Sequence, residues 1–239
     1  TTQYLQEVEK KLGVAPKVLK DYLAKAKKKY DLTVSLFLEK SLHRWKTLFS
    51  LKTLKALRHL TLFEINKSLD QVNTAALKEP HLVQLYNRFA TYNGSSPYQT
   101  PGIMSLIQHL ESHYGTFIPE GGMVSISNSL FDLAQRQGVK FHFNQKVEKI
   151  IEDKNRVQGV LVGGEEHFAD YVVSNMDIYP TYRKLLPQAK APEKTLKQER
   201  SSSAVIFYWG IKKSFPALDL HNILFSEDYP GEFKTIFGS

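Results

Sequence analysis

The sequence contains no cysteine. Disulfides, thiolate metal sites and cysteine nucleophiles are thereby excluded from these residues, and a reducing compartment suits the composition. No run of about 18 apolar residues occurs, so nothing reads as a membrane-crossing helix. The opening Thr1-Thr2-Gln3-Tyr4 lacks the basic-then-apolar order of a signal peptide. G-x-G-x-x-G, G-x-x-x-x-G-K-[ST] and G-x-S-x-G are all missing, which removes most support for a hydrolase or a nucleotide-phosphate reading. Internal repeats and low-complexity tracts are missing too. Acidic residues are in the minority: 24 against 32 Lys and Arg, a formal charge of +8, which favours an anionic partner such as a membrane surface, a nucleic acid or a phosphorylated cofactor.

What is present suffices for a packed protein. Hydrophobic residues at 42% and charged residues at 23% argue against global disorder, and 239 residues can build one large domain or two ordinary ones. Both ends fall in ordinary globular sequence, so the chain is expected to be a piece of a longer protein.

Residues 1–118 are expected to be mostly helical. LQEVEKKLG has helical spacing and stops at Gly13. Pro16 opens a second helix through Tyr30. Leu42, Trp45 and Phe49 form a stripe that predicts a helix over Leu38–Phe49. Leucines at 48, 51, 54, 57 and 60 drift about 60° per step on a helix, which places a break near Ser50. Residues 67–92 read as a helical hairpin whose second arm starts at Pro80, and 93–97 as a loop. A further helix is expected from Pro101 to His113, ended by Gly115.

At Pro119 the pattern changes. Pro119-Glu120-Gly121-Gly122 reads as a tight loop before a helix with apolar face Ile126, Leu130, Leu133 and Ala134, capped by Gly138. Val139, Phe141 and Phe143 alternate with polar residues and predict a half-buried strand. Strands over Val147–Glu152, Val157–Val162 and His167–Ser174, joined by hairpin-type turns, predict a β-meander. Another strand is expected over Ser203–Gly210. The fold class is therefore mixed α+β.

Three features compete for a chemical role. His109 and His113 have metal-ligand spacing, but Glu111 points elsewhere and no third ligand clusters with them, so a metal is rejected. Between Lys17 and Arg58 there are 12 Lys and Arg against three acids. With Phe37, Trp45 and Phe49 interleaved, this basic stretch suits an anionic bilayer surface, or else is a solvated cationic face. No nucleic-acid module fits, so nucleic acid is not expected as a partner. The Gly121-Gly122 pair lets a ligand approach the backbone at a helix N-terminus, or else is simply a tight turn.

Several motifs, in order, carry a resemblance. Asn87-Arg88-Phe89-Ala90-Thr91-Tyr92-Asn93-Gly94-Ser95-Ser96-Pro97-Tyr98 resembles a stretch of the bacterial carotenoid desaturases, which are phytoene dehydrogenase-like flavoproteins. So does Pro119-Glu120-Gly121-Gly122-Met123 opening a helix. Gln145–Ile151, Arg156–Val162 and Ala169–Asn175 look like that family's middle section, and Phe207–Ile211 with His221–Ser226 continue the match. The resemblance covers most of the chain from about residue 67 and is looser before it.

The resemblance implies an FAD-dependent oxidoreductase of the amine-oxidase-like superfamily. Residues 119–177 would be a helix-plus-meander part of its flavin domain. Residues 1–118, with a helical cap, and a sheet-bearing 178–239 would form an interleaved substrate domain. The family's G-x-G-x-x-G strand-turn-helix and its C-terminal Gly-rich flavin segment have no counterpart here, so these residues are expected to lack the pyrophosphate grip. Gly121, Gly122 and Met123 would lie near the flavin, the Val147 backbone would face the adenine end, and Ser174 and Asn175 would sit beside the cofactor. Phe89, Tyr92 and Tyr98 would line a tunnel for a long apolar polyene such as phytoene. Desaturation needs no protein nucleophile, so no catalytic side chain is assigned. The location implied is cytoplasmic, peripheral to the inner face of the membrane. A carotenoid isomerase, a retinoid saturase, or a non-catalytic basic module docking on membranes are the alternatives.

Overall fold

In the computed structural model, residues 2–34, 53, 58–154, 156–198, 200 and 203–238 are described. The helix expected over Leu38–Phe49, the break near Ser50 and the leucines at 48, 51, 54 and 57 lie outside the described residues. The chain divides into two compact units, Thr1–Phe117 with Ser201–Ser239, and Ile118–Arg200.

The first unit is helical. Helix α1 (Thr2–Leu12) ends where Gly13 takes a φ of 66° and returns its N–H to Glu9 at 3.0 Å. Helix α2 (Pro16–Thr33) begins at Pro16, where a missing N–H costs nothing. Helices α3 (Leu69–Leu77) and α4 (Pro80–Asn87) form the expected hairpin. Ser68 and Gln71 close a capping box at the start of α3, a contribution of about 1 kcal/mol. A 3-10 turn, Arg88–Asn93, continues α4, and another, Gly102–Leu106, leads into α5 (Ile107–Tyr114), which ends at Gly115. The last helix of this unit, α7, spans Tyr229–Phe237.

Leu5 and Val8 of α1, Leu19 of α2, Leu77 of α3 and Leu82 of α4 share one core. Each such side chain contributes about 1.5–3 kcal/mol by burial. A buried polar chain runs through the same helices. Tyr22 donates to Asn73 at 2.7 Å, Asn73 to Asn87 at 2.9 Å, and Asn87 to Asp70 at 2.8 Å. Every link is paired, so this network fixes how α2, α3 and α4 meet without leaving orphaned donors.

Lys29 departs most from the sequence reading. It belongs to the lysine run taken for a basic surface, yet it is fully buried. Its three N–H groups reach Glu64 at 2.8 Å, the Gly102 carbonyl at 3.0 Å and Ser105 at 2.8 Å. Lys25 holds the other Glu64 oxygen at 2.8 Å. The reason lies in α2 itself: Leu19, Tyr22, Ala26, Lys29 and Thr33 form one buried stripe, and a long side chain there must find partners inside.

The second unit carries α6 (Val124–Arg136) and one antiparallel sheet of β1 (Val147–Asp153), β2 (Arg156–Val162) and β3 (Glu165–Phe168), in that order. Ile150 stands opposite Val160, and Gly159 lies opposite Ile151 on one side and Phe168 on the other. The mixed α+β class thus holds as helices plus a small antiparallel sheet.

Two expected strands do not form. Residues 139–143 have no strand; Phe141 and Phe143 instead fold back on Phe131 of α6, with ring centroids at 4.4 and 5.8 Å. Alternation alone does not make a strand when the aromatic side chains pack locally and the backbone gains no ladder. Residues 203–210 are likewise irregular, with Tyr208 94% exposed, because no described strand pairs with them. The third meander strand stops at Phe168 instead of reaching Ser174. Helix α6 forms as expected between the Gly121-Gly122 turn and Gly138, but Ile126, Leu130 and Leu133 on its apolar face are exposed in this structure.

Candidate functional site

The sheet unit holds six of the residues singled out from sequence. Gly122 donates to the Pro119 carbonyl at 2.9 Å, closing a turn in which Gly121 and Gly122 have φ of 81° and 82°. A Cβ on Gly122 would meet nothing within 4 Å, so the backbone here is bare and open. Helix α6 follows at once, and its N-cap, Met123, offers no side-chain cap. The Ser125 and Ile126 amides turn back onto the Gly122 and Met123 carbonyls at 3.1 and 3.2 Å, and the helix dipole favours negative charge at this end. Val147 opens β1 opposite Val162. Ser174 contacts the Thr181 hydroxyl at 2.9 Å and accepts from the Met176 amide at 3.3 Å, while Asn175 is exposed.

The helical unit holds the other three. Phe89 is buried in the core and also lines a cleft of about 380 Å³. Tyr92 packs edge-on to Phe89 with centroids 5.3 Å apart. Arg88 stacks over Phe89 at 4.3 Å, pairs with Glu111 at 2.7 Å and donates to the Tyr92 hydroxyl at 3.0 Å. Tyr92 in turn donates to Glu111. Burial, then the hydrogen bond to Glu111, pushes the Tyr92 phenol above its ordinary range. Tyr98 is not part of this group. It sits with Pro230 and Phe233 at a different cavity, where burial and then Asp70 push its phenol up to about 12.

His109 and His113 do meet, as rings stacked 4.8 Å apart. Burial, then His113 and Lys27, lowers the pKa of His109. Among the described residues no group of three or more His, Cys, Asp or Glu is arranged to hold a metal.

Sequence reasoning missed two residues in the helical unit. One is Lys29, on the buried stripe of α2. The other is Gln108, which lines the cleft beside Phe89 and is almost wholly buried with neither amide atom hydrogen-bonded among the described residues. Nothing in its sequence context announces that position.

The family model for "Flavin containing amine oxidoreductase" matches residues 5–227. The chain belongs to this family. Within the flavin amine oxidoreductases it is 60% identical over 221 residues to a 1-hydroxycarotenoid 3,4-desaturase of Flavobacterium sp., covering 92% of this chain and 45% of that protein. It is 40% identical over 148 residues to a zeta-carotene-forming phytoene desaturase of Myxococcus xanthus, covering 61% of this chain and 29% of that protein. It is 34% identical over 192 residues to a 4,4'-diapolycopene oxygenase of Methylomonas sp., covering 79% and 38%. The chain thus spans less than half the length of these family relatives.

Proposed function

We propose that this chain is part of an FAD-dependent desaturase acting on a long carotenoid polyene. The observation that carries the reading is the 60% identity to a 1-hydroxycarotenoid 3,4-desaturase across 92% of this chain. In this reading residues 119–177 belong to the flavin domain, interleaved with a substrate domain built from residues 1–118 and 178–239.

The residues present suit one wall of a flavin site. Two adjacent glycines at positive φ, with nothing within 4 Å of a Cβ on Gly122 and only the Ser125 Cβ at 3.8 Å from one on Gly121, let an anionic cofactor group approach the backbone at the start of α6. Gly121, Gly122 and Met123 are assigned to that wall, the Val147 backbone to the adenine end, and Ser174 and Asn175 to its flank. FAD supplies the hydride acceptor for removal of two hydrogens across a saturated C–C bond. Phe89 and Tyr92 offer aromatic surface that orients a polyene and excludes water, and Tyr98, at its own cavity, is assigned to a separate stretch of the substrate path. Positioning is all that is asked of the protein, which agrees with the scarcity of clustered acid–base groups.

Purified full-length protein reconstituted with FAD tests the reading. A carotenoid precursor should gain double bonds, followed as a red shift of its absorption. Flavin-free protein, or an unshifted spectrum, would count against it. Gly122→Ala is expected to weaken FAD retention about tenfold, because a Cβ at positive φ costs about 1–2 kcal/mol and the loop must take another path. Absorbance of the retained flavin after gel filtration measures this, and wild-type retention would remove Gly122 from the site.

The proposal includes a cytoplasmic location on the inner face of the membrane, through the basic surface of α2. Lys20 and Lys28 are exposed there, whereas Lys17 and Lys27 are paired with Asp21 and Asp31, and Lys29 is buried. The double variant Lys20→Glu and Lys28→Glu should bind anionic vesicles at least about tenfold more weakly in flotation, at about 1 kcal/mol per lysine. Unchanged flotation would rule out docking by this face.

A further inference from the structure

The cleft beside Phe89 contains a polar group with nothing to do. Its walls are largely apolar, drawn from Leu23, Leu85, Phe89 and the rings of Tyr4 and Tyr86. The polar lining groups are mostly occupied with one another. Tyr4 and Tyr86 share a hydrogen bond at 3.2 Å, and Arg88 is paired with Glu111 at 2.7 Å. Two exceptions remain among the described residues: Arg88 Nε has no partner, and Gln108, almost completely withdrawn from solvent, lacks one at both its carbonyl oxygen and its amide nitrogen.

A buried amide unsatisfied at both ends carries its full desolvation cost in the empty protein. That cost is recovered if an occupant of the cleft supplies both an acceptor and a donor. A hydroxyl group does so with one atom, donating to Oε1 and accepting from Nε2. A plain hydrocarbon end would leave the amide as it is. A carboxylate could use the amide N–H and the unpartnered Arg88 Nε, but it would leave Oε1 without a donor and would also face Glu111, whose charge already balances Arg88. The apolar walls meanwhile demand that the rest of the occupant be hydrocarbon.

We propose that Gln108 is a specificity-determining residue that reads a hydroxyl group on the end of an otherwise apolar polyene seated in this cleft. The inference rests on the carotenoid reading above and narrows it to a hydroxylated substrate. It also agrees with the wording of the relative at 60% identity, a 1-hydroxycarotenoid desaturase. Sites that hydrogen-bond a substrate hydroxyl reject the analogue lacking it far more strongly than apolar pockets discriminate by size.

The test uses full-length protein and two probes: a 1-hydroxylated acyclic carotenoid, and the same polyene without the hydroxyl, each in detergent micelles. Bound polyene is measured by its visible absorption after size exclusion, which needs no turnover. Wild-type protein should hold the hydroxylated probe about tenfold more tightly or better, and Gln108→Leu should bring the two affinities within about twofold. A preference that survives Gln108→Leu, or wild-type binding of both probes alike, overturns the role of Gln108 while leaving the carotenoid reading standing. Binding of neither probe overturns both. Should Gln108→Leu fail to fold, Leu85→Trp serves instead: filling the cleft must weaken the hydroxylated probe, and unchanged binding shows that the hydroxyl is not read here.

Discussion

Lys29→Ala is expected to lower the unfolding free energy by about 3–5 kcal/mol, the range for breaking one side of a buried ion pair. Three hydrogen bonds disappear at once, to Glu64, Gly102 and Ser105. Glu64 then keeps only Lys25, whose side chain is 40% exposed and therefore a poorer partner. The substitution also unties α2 from the turn at Glu64 and from the 3-10 turn at Gly102. Lys20→Ala, on the exposed side of the same helix, should stay within about 0.5 kcal/mol of wild type. Urea unfolding of both variants decides the matter, and equal midpoints would mean that Lys29 is not a structural cation. The pH dependence has a definite sign. Burial pushes the Glu64 carboxyl up, but hydrogen bonds from Lys25 and Lys29 more than reverse this, so it ionises below its ordinary 4.5. The folded state then holds fewer protons than the unfolded chain in that window. Stability from Glu64 is therefore present above pH 4.5 and lost as pH falls through its lowered pKa. Burial lowers the Lys29 ammonium below its ordinary 10.5, so its own contribution runs the same way, with stability rising as pH climbs toward that value. Glu64→Gln should flatten the acid limb.

The position of Lys29 shows where sequence reading worked and where it misled. Helix ends in the first unit were legible because they rest on local chemistry: Pro16 and Pro80 at helix starts, Gly13 and Gly115 at helix ends. The meander was legible through its turns. Lys29 was misread because residue type was weighed above register. A lysine run looks like a solvated face, but Leu19, Tyr22, Ala26 and Thr33 already marked position 29 as inward. The converse error occurred at residues 139–143, where period-two alternation predicted a strand and aromatic packing onto Phe131 took the side chains elsewhere. The Gly121-Gly122 turn was visible as a motif, whereas Gln108 could not be found from sequence. An amide becomes informative only when three-dimensional packing removes every partner it could have had.

Gly159→Ala is expected to disrupt the sheet unit by about 3 kcal/mol or more, although alanine normally stabilises a strand relative to glycine. Gly159 lies on the central strand, paired with Ile151 in β1 and Phe168 in β3. A Cβ built there would fall 2.0 Å from the His167 carbonyl oxygen and 2.8 Å from the Phe168 Cα. These are backbone atoms, so no rotamer change relieves the overlap; β2 and β3 must move apart. Their paired register runs from the Gly159–Phe168 pair to the Val162–Glu165 pair, with one further bond from the Ala169 amide to the Gln158 carbonyl at 2.9 Å, and a clash at Gly159 breaks this short ladder at that end. Gly163→Ala makes a suitable control, because its φ of 59° carries strain but no atom lies within 4 Å, giving about 1–2 kcal/mol. Amide exchange should show β3 opening in Gly159→Ala and staying closed in Gly163→Ala; a protected β3 in both would refute the clash. The same ladder carries Val162, which stands opposite Val147, the residue assigned to the adenine end of the cofactor. If that assignment is right, full-length Gly159→Ala loses flavin as well as β3 protection. A variant with an open β3 and full flavin content would separate the sheet from cofactor binding and move Val147 out of the site.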